Sequence, residues 1–440
     1  MSKSFKCEPK TLLTAVLFWI SLSISAPKKV FIAPEIALAS TQERISSKFF
    51  RDKSDKKIDL SSKIQYLEWS KNGEFLAIID DEDNIQVFEI STGQKILEVE
   101  DASNGLYLSW NSDSQHLATV DFLGRLRIID ISGQEKVIDL GLKESSEENV
   151  SNIRWSPNGE YLAVLTNRND RGRFGSHTSI YTVQVLTKEA YDQAAFVEVR
   201  GSAFNLTWSP DSQYIAASSP TRQSNMQILE LSTNSIVVLS GDSYPVNSIE
   251  WSPNSLYLVK VYSSSAQIFD IIRRELVLEI SHQEGIDNIH WSPDGEKVAV
   301  LTSNGYLNML SSRNLSTENF FEYSGVFGNH VIWSPDSESV IVQAANDSFN
   351  ILDASTGSEV LYIRNGQGWG IESVTWSPTG QYISTVNEDY SVNIFDADTG
   401  ERVQHIKHEE KIYGSLWSSD DQYLATYTWN HLRVTEVAEH

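Results

Sequence analysis

The sequence predicts an all-β protein, a single β-propeller of about nine four-stranded blades, with eight blades as the alternative. One motif returns at a near-constant interval along the chain. Each interval holds four short segments with the alternation and turn residues of antiparallel strands. An extra strand at the start and a missing strand at the end then predict how the ring closes.

The repeated motif consists of an apolar or aromatic residue, a small residue, Trp-Ser-Pro-x-Gly/Ser and an apolar pair. Its spacing varies only from 40 to 53 residues. An isolated four-stranded sheet cannot bury both faces, so we expect these indoles to be the apolar blocks packed between blades. The repeated tryptophans are Trp69, Trp110, Trp155, Trp208, Trp251, Trp291, Trp333, Trp376 and Trp417.

Each unit divides into four strands. The first ends at the tryptophan, as in residues 371–376. Ser-Pro-x-Gly then forms a turn, because Pro fixes φ and Gly accepts positive φ. An apolar second strand such as 161–165 follows, then a third strand that ends in an acid, as in 392–396. The fourth strand is illustrated by residues 276–280.

The two ends of the array predict ring closure. The final unit has only three strands, which end at Trp417, Tyr427 and Glu436. Residues 57–60 form an extra strand before the first tryptophan. We expect this strand to complete the last blade, because pairing it there protects both open edges.

The repeats resemble those of WD40-repeat proteins and the similar TolB-type propellers, over residues 57–440. They depart from true WD40 repeats in having no Trp-Asp dipeptide and no Gly-His dipeptide, although His282 and His408 lie near the position of the latter. The resemblance implies a protein-binding platform. It also implies that the loops before the first strands and between the second and third strands share a face that contacts partners.

The N-terminal segment predicts export. Lysines at 3, 6 and 10 precede an apolar run over residues 11–26, which is the pattern of a secretory signal. A small-residue cleavage pattern ends at Ala39, an earlier cut after Ser25 is possible, and an uncleaved anchor formed by 11–26 is a further alternative. The predicted divisions are residues 1–39 as signal or anchor, 40–56 as a linker and 57–440 as the propeller. The protein would then be periplasmic or secreted, with membrane contact only through an uncleaved N-terminal segment.

Composition argues against several functions. The net charge of −24 disfavours nucleic-acid binding, and Cys7, the single cysteine, permits neither an intramolecular disulfide nor a cysteine zinc site. No nucleophile elbow, phosphate loop or dinucleotide fingerprint is present. His405 and His408 are expected to be solvated rather than to share a metal. The sequence therefore assigns no catalytic residue, metal or cofactor.

Two groups of residues are candidates for partner binding. The unit that begins at Trp155 carries an insertion over 167–177 with Arg168, Arg171 and Arg173, which would suit an acidic partner or an anion. A tolerated surface insertion is the alternative.

The second group comprises Trp369, Tyr390 and Trp429, on adjacent loops of the same face. Exposed aromatic residues of this kind are enriched in recognition surfaces. Trp369 could instead plug the channel or pack on the next blade. The two groups lie almost opposite each other in a nine-membered ring and would be separate subsites.

The sequence thus predicts a non-enzymatic scaffold that binds other proteins outside the cytoplasm. The alternative is a propeller enzyme, or a lectin for glycans or small molecules, that uses acids at the channel mouth.

Overall fold

The chain folds as a closed ring of nine four-stranded antiparallel sheets, which confirms nine blades over eight. Eight of the nine sheets run in chain order from an inner strand that ends at a repeated tryptophan to an outer strand, and in the ninth the outer strand comes from the start of the chain. This computed structural model describes residues 56–59, 63–99, 107–120, 125–140, 149–171, 177–200, 205–218, 226–238, 246–262, 265–281, 285–312, 319–324, 331–345, 347–365, 370–429 and 431–437.

The strands of the first half of the ring form blades 1 to 4. Blade 1 holds β2 (Ile64–Trp69), β3 (Phe75–Asp80), β4 (Ile85–Glu89) and β5 (Gln94–Val99). Blade 2 holds β6 (Tyr107–Trp110), β7 (His116–Val120), β8 (Arg125–Asp130) and β9 (Glu135–Asp139). Blade 3 holds β10 (Asn149–Trp155), β11 (Tyr161–Arg171), β12 (His177–Thr187) and β13 (Gln193–Arg200). Blade 4 holds β14 (Asn205–Trp208), β15 (Tyr214–Ser218), β16 (Gln227–Glu230) and β17 (Ser235–Val238).

Blades 5 to 8 have the same plan. Blade 5 holds β18 (Ser248–Trp251), β19 (Tyr257–Tyr262), β20 (Ser265–Asp270) and β21 (Glu275–Ser281). Blade 6 holds β22 (Ile286–Trp291), β23 (Lys297–Thr302), β24 (Tyr306–Ser311) and β25 (Asn319–Ser324). Blade 7 holds β26 (Val331–Trp333), β27 (Ser339–Ala345), β28 (Ser348–Asp353) and β29 (Glu359–Arg364). Blade 8 holds β30 (Ile371–Trp376), β31 (Tyr382–Asn387), β32 (Ser391–Asp396) and β33 (Arg402–Lys407).

The N-terminal strand completes the ring, as predicted. Blade 9 holds β34 (Gly414–Trp417), β35 (Tyr423–Tyr427), β36 (His431–Glu436) and, at its outer edge, β1 (Lys56–Asp59). Strand β1 pairs antiparallel with β36, with Ile58 opposite Leu432. The first and last elements of the array are therefore held in one sheet.

The repeated tryptophans pack between blades. Seven of the nine are buried, whereas Trp333 and Trp376 are half-buried. At five junctions the aromatic residue that opens the second strand stacks on the tryptophan of the next blade, as Tyr382 does on Trp417 with ring centroids 6.0 Å apart. The indole N–H can also form a hydrogen bond to the neighbouring blade. For example, Trp110 Nε1 donates to the Glu68 carbonyl oxygen of blade 1 at 3.1 Å.

The third blade corrects the prediction of an inserted loop. Residues 167–171 continue β11, and β12 begins at His177, so much of the surplus is a longer β-hairpin. Arg168 lies opposite Ile180 and Arg171 opposite His177 in that hairpin. The antiparallel pairing of β11 with β12 continues through the added residues, because their backbone N–H and C=O groups bond to each other. The interval between tryptophans gives only the number of added residues and cannot show this pairing.

Candidate functional site

We call the side of the ring that carries the loops before the inner strands, and the loops between the second and third strands, the upper face. The Ser-Pro turns lie on the opposite, lower face. Two predicted residues, Tyr390 and Trp429, lie on adjacent blades of the upper face and are both exposed. Tyr413 lies in the loop between those blades and is also exposed. We call Tyr390, Tyr413 and Trp429 the aromatic surface.

Tyr413 was missed from the sequence, yet it packs against Trp429 within the aromatic surface. Its ring centroid lies 5.8 Å from that of Trp429. The Lys63 ammonium lies over the Trp429 ring, 4.7 Å from its centroid. Lys63 Nζ also lies 3.8 Å from an Asp81 carboxylate oxygen. The surface therefore combines apolar rings with a cation and an acid at its rim, the composition expected of a recognition patch.

A second ion pair lies beside Tyr390. Lys411 Nζ donates to Glu372 Oε1 at 2.8 Å, and this carboxylate raises the pKa of Lys411 above its usual value. Lys411 also interacts electrostatically with Tyr413 and Tyr390, which places its charge near both rings. Each end of the aromatic surface thus has its own Lys–carboxylate pair.

The backbone of Tyr390 is strained. Its φ is +66°, in the left-handed region, where a bulky side chain costs about 1–2 kcal/mol. At the corresponding turn of blade 6, Gly305 adopts φ of +80° without that cost. Tyr390 is nonetheless 42% exposed, so core packing does not account for its presence. Strain of this kind is often found at functional sites.

A buried amide network holds the Tyr390 turn. Asn365 Nδ2 donates to Asn387 Oδ1 at 2.7 Å, and Asn393 Nδ2 donates to Asn365 Oδ1 at 2.5 Å. Asn387 Nδ2 then donates to Ser391 Oγ at 3.0 Å, next to Tyr390. All four residues are buried. The turn is therefore positioned by satisfied polar groups, which rigidify a core strongly.

The histidines of this region contact neutral polar groups. His408 Nε2 lies 3.0 Å from Thr426 Oγ1, so one histidine near the family's Gly-His position makes a hydrogen bond to strand β35 of blade 9. His405 Nδ1 lies 2.7 Å from Asn393 Oδ1, and burial together with the Arg402 charge lowers the pKa of His405. The two histidines have separate partners, and no group of metal-ligating residues occurs within the described residues. His282 lies outside them.

Of the predicted basic group, only the side chain of Arg168 lies within the described part of the chain. Arg168 Nη2 pairs at 2.9 Å with Glu198 Oε1 of β13, the outer strand of the same sheet, so its charge is balanced within blade 3. The backbone of Arg171 ends β11, and its side chain is outside the described part of the chain. Arg173 and Trp369 lie outside the described residues altogether.

Charged residues on the inner strands contact neighbouring blades. Glu68 Oε1 accepts from the Trp110 backbone N–H at 3.3 Å, and Glu250 Oε1 accepts from that of Trp291 at 3.0 Å. Tyr66 is hydrogen-bonded to Glu68 and Arg154, and burial raises the pKa of its phenol. The Glu68 and Glu250 carboxylates thus accept backbone hydrogen bonds from the next blade and help to hold neighbouring blades together.

The ring, its repeated blades and its strand-closed junction define a β-propeller, and three family models match parts of the chain. They describe eukaryotic translation initiation factor eIF2A (residues 145–304), the WD40 domain of anaphase-promoting complex subunit 4 (36–113) and the WD domain, G-beta repeat (358–396). No curated protein matches the chain significantly. Together with the fold, these matches support a resemblance to the WD40-repeat β-propeller family.

Solved structures show the same fold. The C-terminal WD40 domain of Sif2 is 13% identical, with a TM-score of 0.52, and the match covers 76% of this chain and 96% of that one. The computationally designed Ika8 protein is also 13% identical with a TM-score of 0.52, over 77% of this chain and 98% of the other. WD40 propellers generally act as scaffolds that bind other proteins. The described part of the chain has no helix long and apolar enough to cross a membrane.

Proposed function

We propose that this chain is a non-enzymatic protein–protein interaction scaffold that acts outside the cytoplasm and binds its partner through the aromatic surface of blades 8 and 9. The conformation of Tyr390 carries the proposal. An exposed tyrosine occupies a left-handed position that Gly305 fills in blade 6 and the smaller Asp83 in blade 1, above a buried network that fixes it. Retention of backbone strain at an exposed side chain is explained if that side chain binds something.

The chemistry of the surface supports a protein partner. Tyrosine and tryptophan are enriched among the interface residues that dominate binding energy, and they bury a large area with few rotatable bonds. The rim pairs Lys63–Asp81 and Lys411–Glu372 offer both charges to polar groups of a partner. The inner-strand carboxylates Glu68 and Glu250 already accept backbone hydrogen bonds, so the channel gives less support to an enzyme or lectin.

Export rests on the N-terminal sequence. Basic residues followed by the apolar run 11–26 are typical of a secretory signal, and the single cysteine, Cys7, would be removed with it. A protein without thiols or disulfides is compatible with an oxidising compartment.

The test is affinity capture from an envelope extract of the source organism with tagged residues 40–440. The binding variant is Tyr390→Ala/Tyr413→Ala/Trp429→Ala. The matched control is Val360→Gln/Tyr362→Gln, which removes two residues that are each 55% exposed on the outer strand β29. Because central aromatic anchors contribute about 2 kcal/mol or more each, we expect the binding variant to lose capture at least roughly 30-fold and the control to retain it.

One further variant separates binding from folding. Tyr390→Gly should relieve the left-handed strain and leave the unfolding temperature unchanged or higher, while capture falls. Capture that is equal for all variants would reject the aromatic surface as the binding site. The chain itself should be found in the envelope or medium, and its recovery in the cytosol would contradict export.

A further inference from the structure

The lower corner of blade 5 differs from every other blade. In all nine blades, the turn after the repeated tryptophan contains a residue with positive φ, which is Ser255 in blade 5. The carbonyl oxygen of the residue after it accepts a backbone hydrogen bond from the residue that follows the third strand, as Leu256 does from Ile271 at 3.0 Å. This contact aligns the blades residue by residue. The aligned residues are Glu74, Gln115, Glu160, Gln213, Leu256, Glu296, Glu338, Gln381 and Gln422. Only blade 5 is apolar at this position.

The next aligned position shows the same departure. Ile272 follows the donor Ile271 and is 63% exposed, the most exposed large hydrophobic residue in the described part of the chain. Seven of the other eight blades have a polar residue there, and blade 9 has an alanine. These residues are Ser91, Ser132, Glu189, Ser232, Arg313, Ser355, Asp398 and Ala438.

The outer strand of blade 5 extends the apolar area. Leu276 and Val277 lie at a bulge in β21 and are both exposed. At the position of Leu276, blade 4 also has an apolar residue, Ile236, whereas the outer strands of five other blades carry Lys95, Gln193, Asn319, Glu359 and Arg402. No strand of the described sheet lies beyond β21, so this edge is open. We call Leu256, Ile272, Leu276 and Val277 the blade-5 corner.

Charges of both signs surround the blade-5 corner. The side chains of Arg273 and Arg274 are 71% and 55% exposed, and they pair with Asp270 and Glu230 respectively. Glu275 is exposed beside them. Because this surface carries both cations and carboxylates, a second copy can place opposite charges against each other, as a twofold contact between identical chains requires. Two copies of the edge strand β21 would also run antiparallel to each other across a twofold axis.

We propose that the blade-5 corner is the interface of a twofold homodimer. Other blades fold with polar residues at the positions of Leu256 and Ile272, so the fold itself does not require apolar residues at those two positions. Exposed apolar clusters with a polar rim mark association sites on soluble proteins. This interface lies on the lower face and is independent of the aromatic surface, so either proposal can fail without the other.

The proposal is tested by the mass in solution of a protein comprising residues 40–440, which contain all described strands. Sedimentation velocity at tens of micromolar should give twice the monomer mass. The variant Leu256→Gln/Ile272→Ser/Leu276→Glu installs residues that other blades carry, and it should weaken dimerisation at least roughly 30-fold while its circular dichroism is unchanged. The Val360→Gln/Tyr362→Gln control should remain dimeric. A monomeric unmodified protein, or a dimer that survives the triple substitution, would overturn the proposal.

A spin label locates the interface without disturbing the apolar residues. Residues 40–440 contain no cysteine, so Arg273→Cys provides a unique attachment site. Labels at that position should show dipolar broadening that disappears on dilution with unlabelled protein. Labels at Val360→Cys should not. Broadening at Val360→Cys alone would place the contact elsewhere and reject the blade-5 corner.

Discussion

One left-handed residue in the turn after each repeated tryptophan determines how neighbouring blades meet. Five of these residues are not glycine, and Ser212 is an example, with its hydroxyl accepting the Asn158 backbone N–H of the previous blade at 3.0 Å. The hydrogen bond offsets part of the conformational cost of the left-handed serine. At Gly73 a Cβ atom would lie 2.9 Å from the Ser419 nitrogen, so only glycine fits that junction. The sequence thus alternates serine and glycine according to what the adjacent turn presents.

Asp421 fills the same position with a carboxylate. It is buried, accepts the Thr379 backbone N–H at 3.0 Å and the Ser377 hydroxyl at 2.5 Å, and adopts φ of +60°. Burial raises the pKa of the Asp421 carboxyl, outweighing the opposing effect of the Ser377 and Thr379 hydrogen bonds. The folded protein therefore binds this proton more tightly than the unfolded chain does, and the contribution of Asp421 to stability declines as the pH rises.

Neutral substitutions at Asp421 should remove its contribution to this pH dependence. Asp421→Ser, the residue found at four other junctions, and Asp421→Asn both remove the buried charge. We expect the unfolding free energy of each variant, relative to the unmodified protein, to increase between pH 4 and pH 7, since only the unmodified protein pays for burying an ionised carboxylate at the higher pH. Urea unfolding at several pH values measures this difference. A difference that stays constant or falls with pH would contradict the assignment.

At the scale of elements, closure depends on a strand of four residues. Strand β1 pairs with β36 over Lys56–Asp59 and supplies the outer strand of blade 9. The adjacent core joins the two ends of the array, since Trp69 and Leu76 of blade 1 cluster with Tyr427 and Leu432 of blade 9. Without β1, blade 9 would expose the edge of β36, and open edges of this kind invite association.

Removal of β1 should therefore destabilise the whole ring. We compare a chain that begins at residue 61 with one that begins at residue 56, so that the two differ in β1 and the residue after it. We expect the shorter chain to unfold at a lower temperature and to aggregate faster, because β36 loses its partner. Thermal unfolding by circular dichroism with light scattering measures both effects. Equal unfolding temperatures would show that β1 contributes little to closure.

At the scale of the whole molecule, the repeat predicted the architecture because every tryptophan has the same structural role in each blade. The binding surface was only partly predictable. Tyr390 and Trp429 follow from turn positions within a repeat, whereas the contact between Tyr413 and Trp429 depends on how loops of different blades approach each other. The extended hairpin of blade 3 was missed because spacing alone cannot separate a longer strand pair from a loop. The polar-to-apolar exchanges at Leu256 and Ile272 became visible only once backbone contacts had aligned the blades.

The net charge of the molecule also has a measurable consequence. At −24 the chain carries many more acids than bases, and ion pairs such as Arg364–Asp347 and Arg274–Glu230 involve exposed cations. Exposed pairs contribute about 0–1 kcal/mol each, whereas repulsion among the excess carboxylates acts over the entire ring. We therefore expect net self-repulsion, rather than the loss of ion pairs, to dominate the response to salt.

Raising the NaCl concentration from about 0.01 M to about 0.15 M should increase the unfolding temperature by a few degrees, because the screening length falls from about 30 Å to about 8 Å. Differential scanning calorimetry of residues 40–440 measures the change. KCl at the same concentrations should give the same increase, since screening depends on ionic strength and not on the cation. An unfolding temperature that falls with salt would mean that ion pairs stabilise the ring more than its excess negative charge destabilises it.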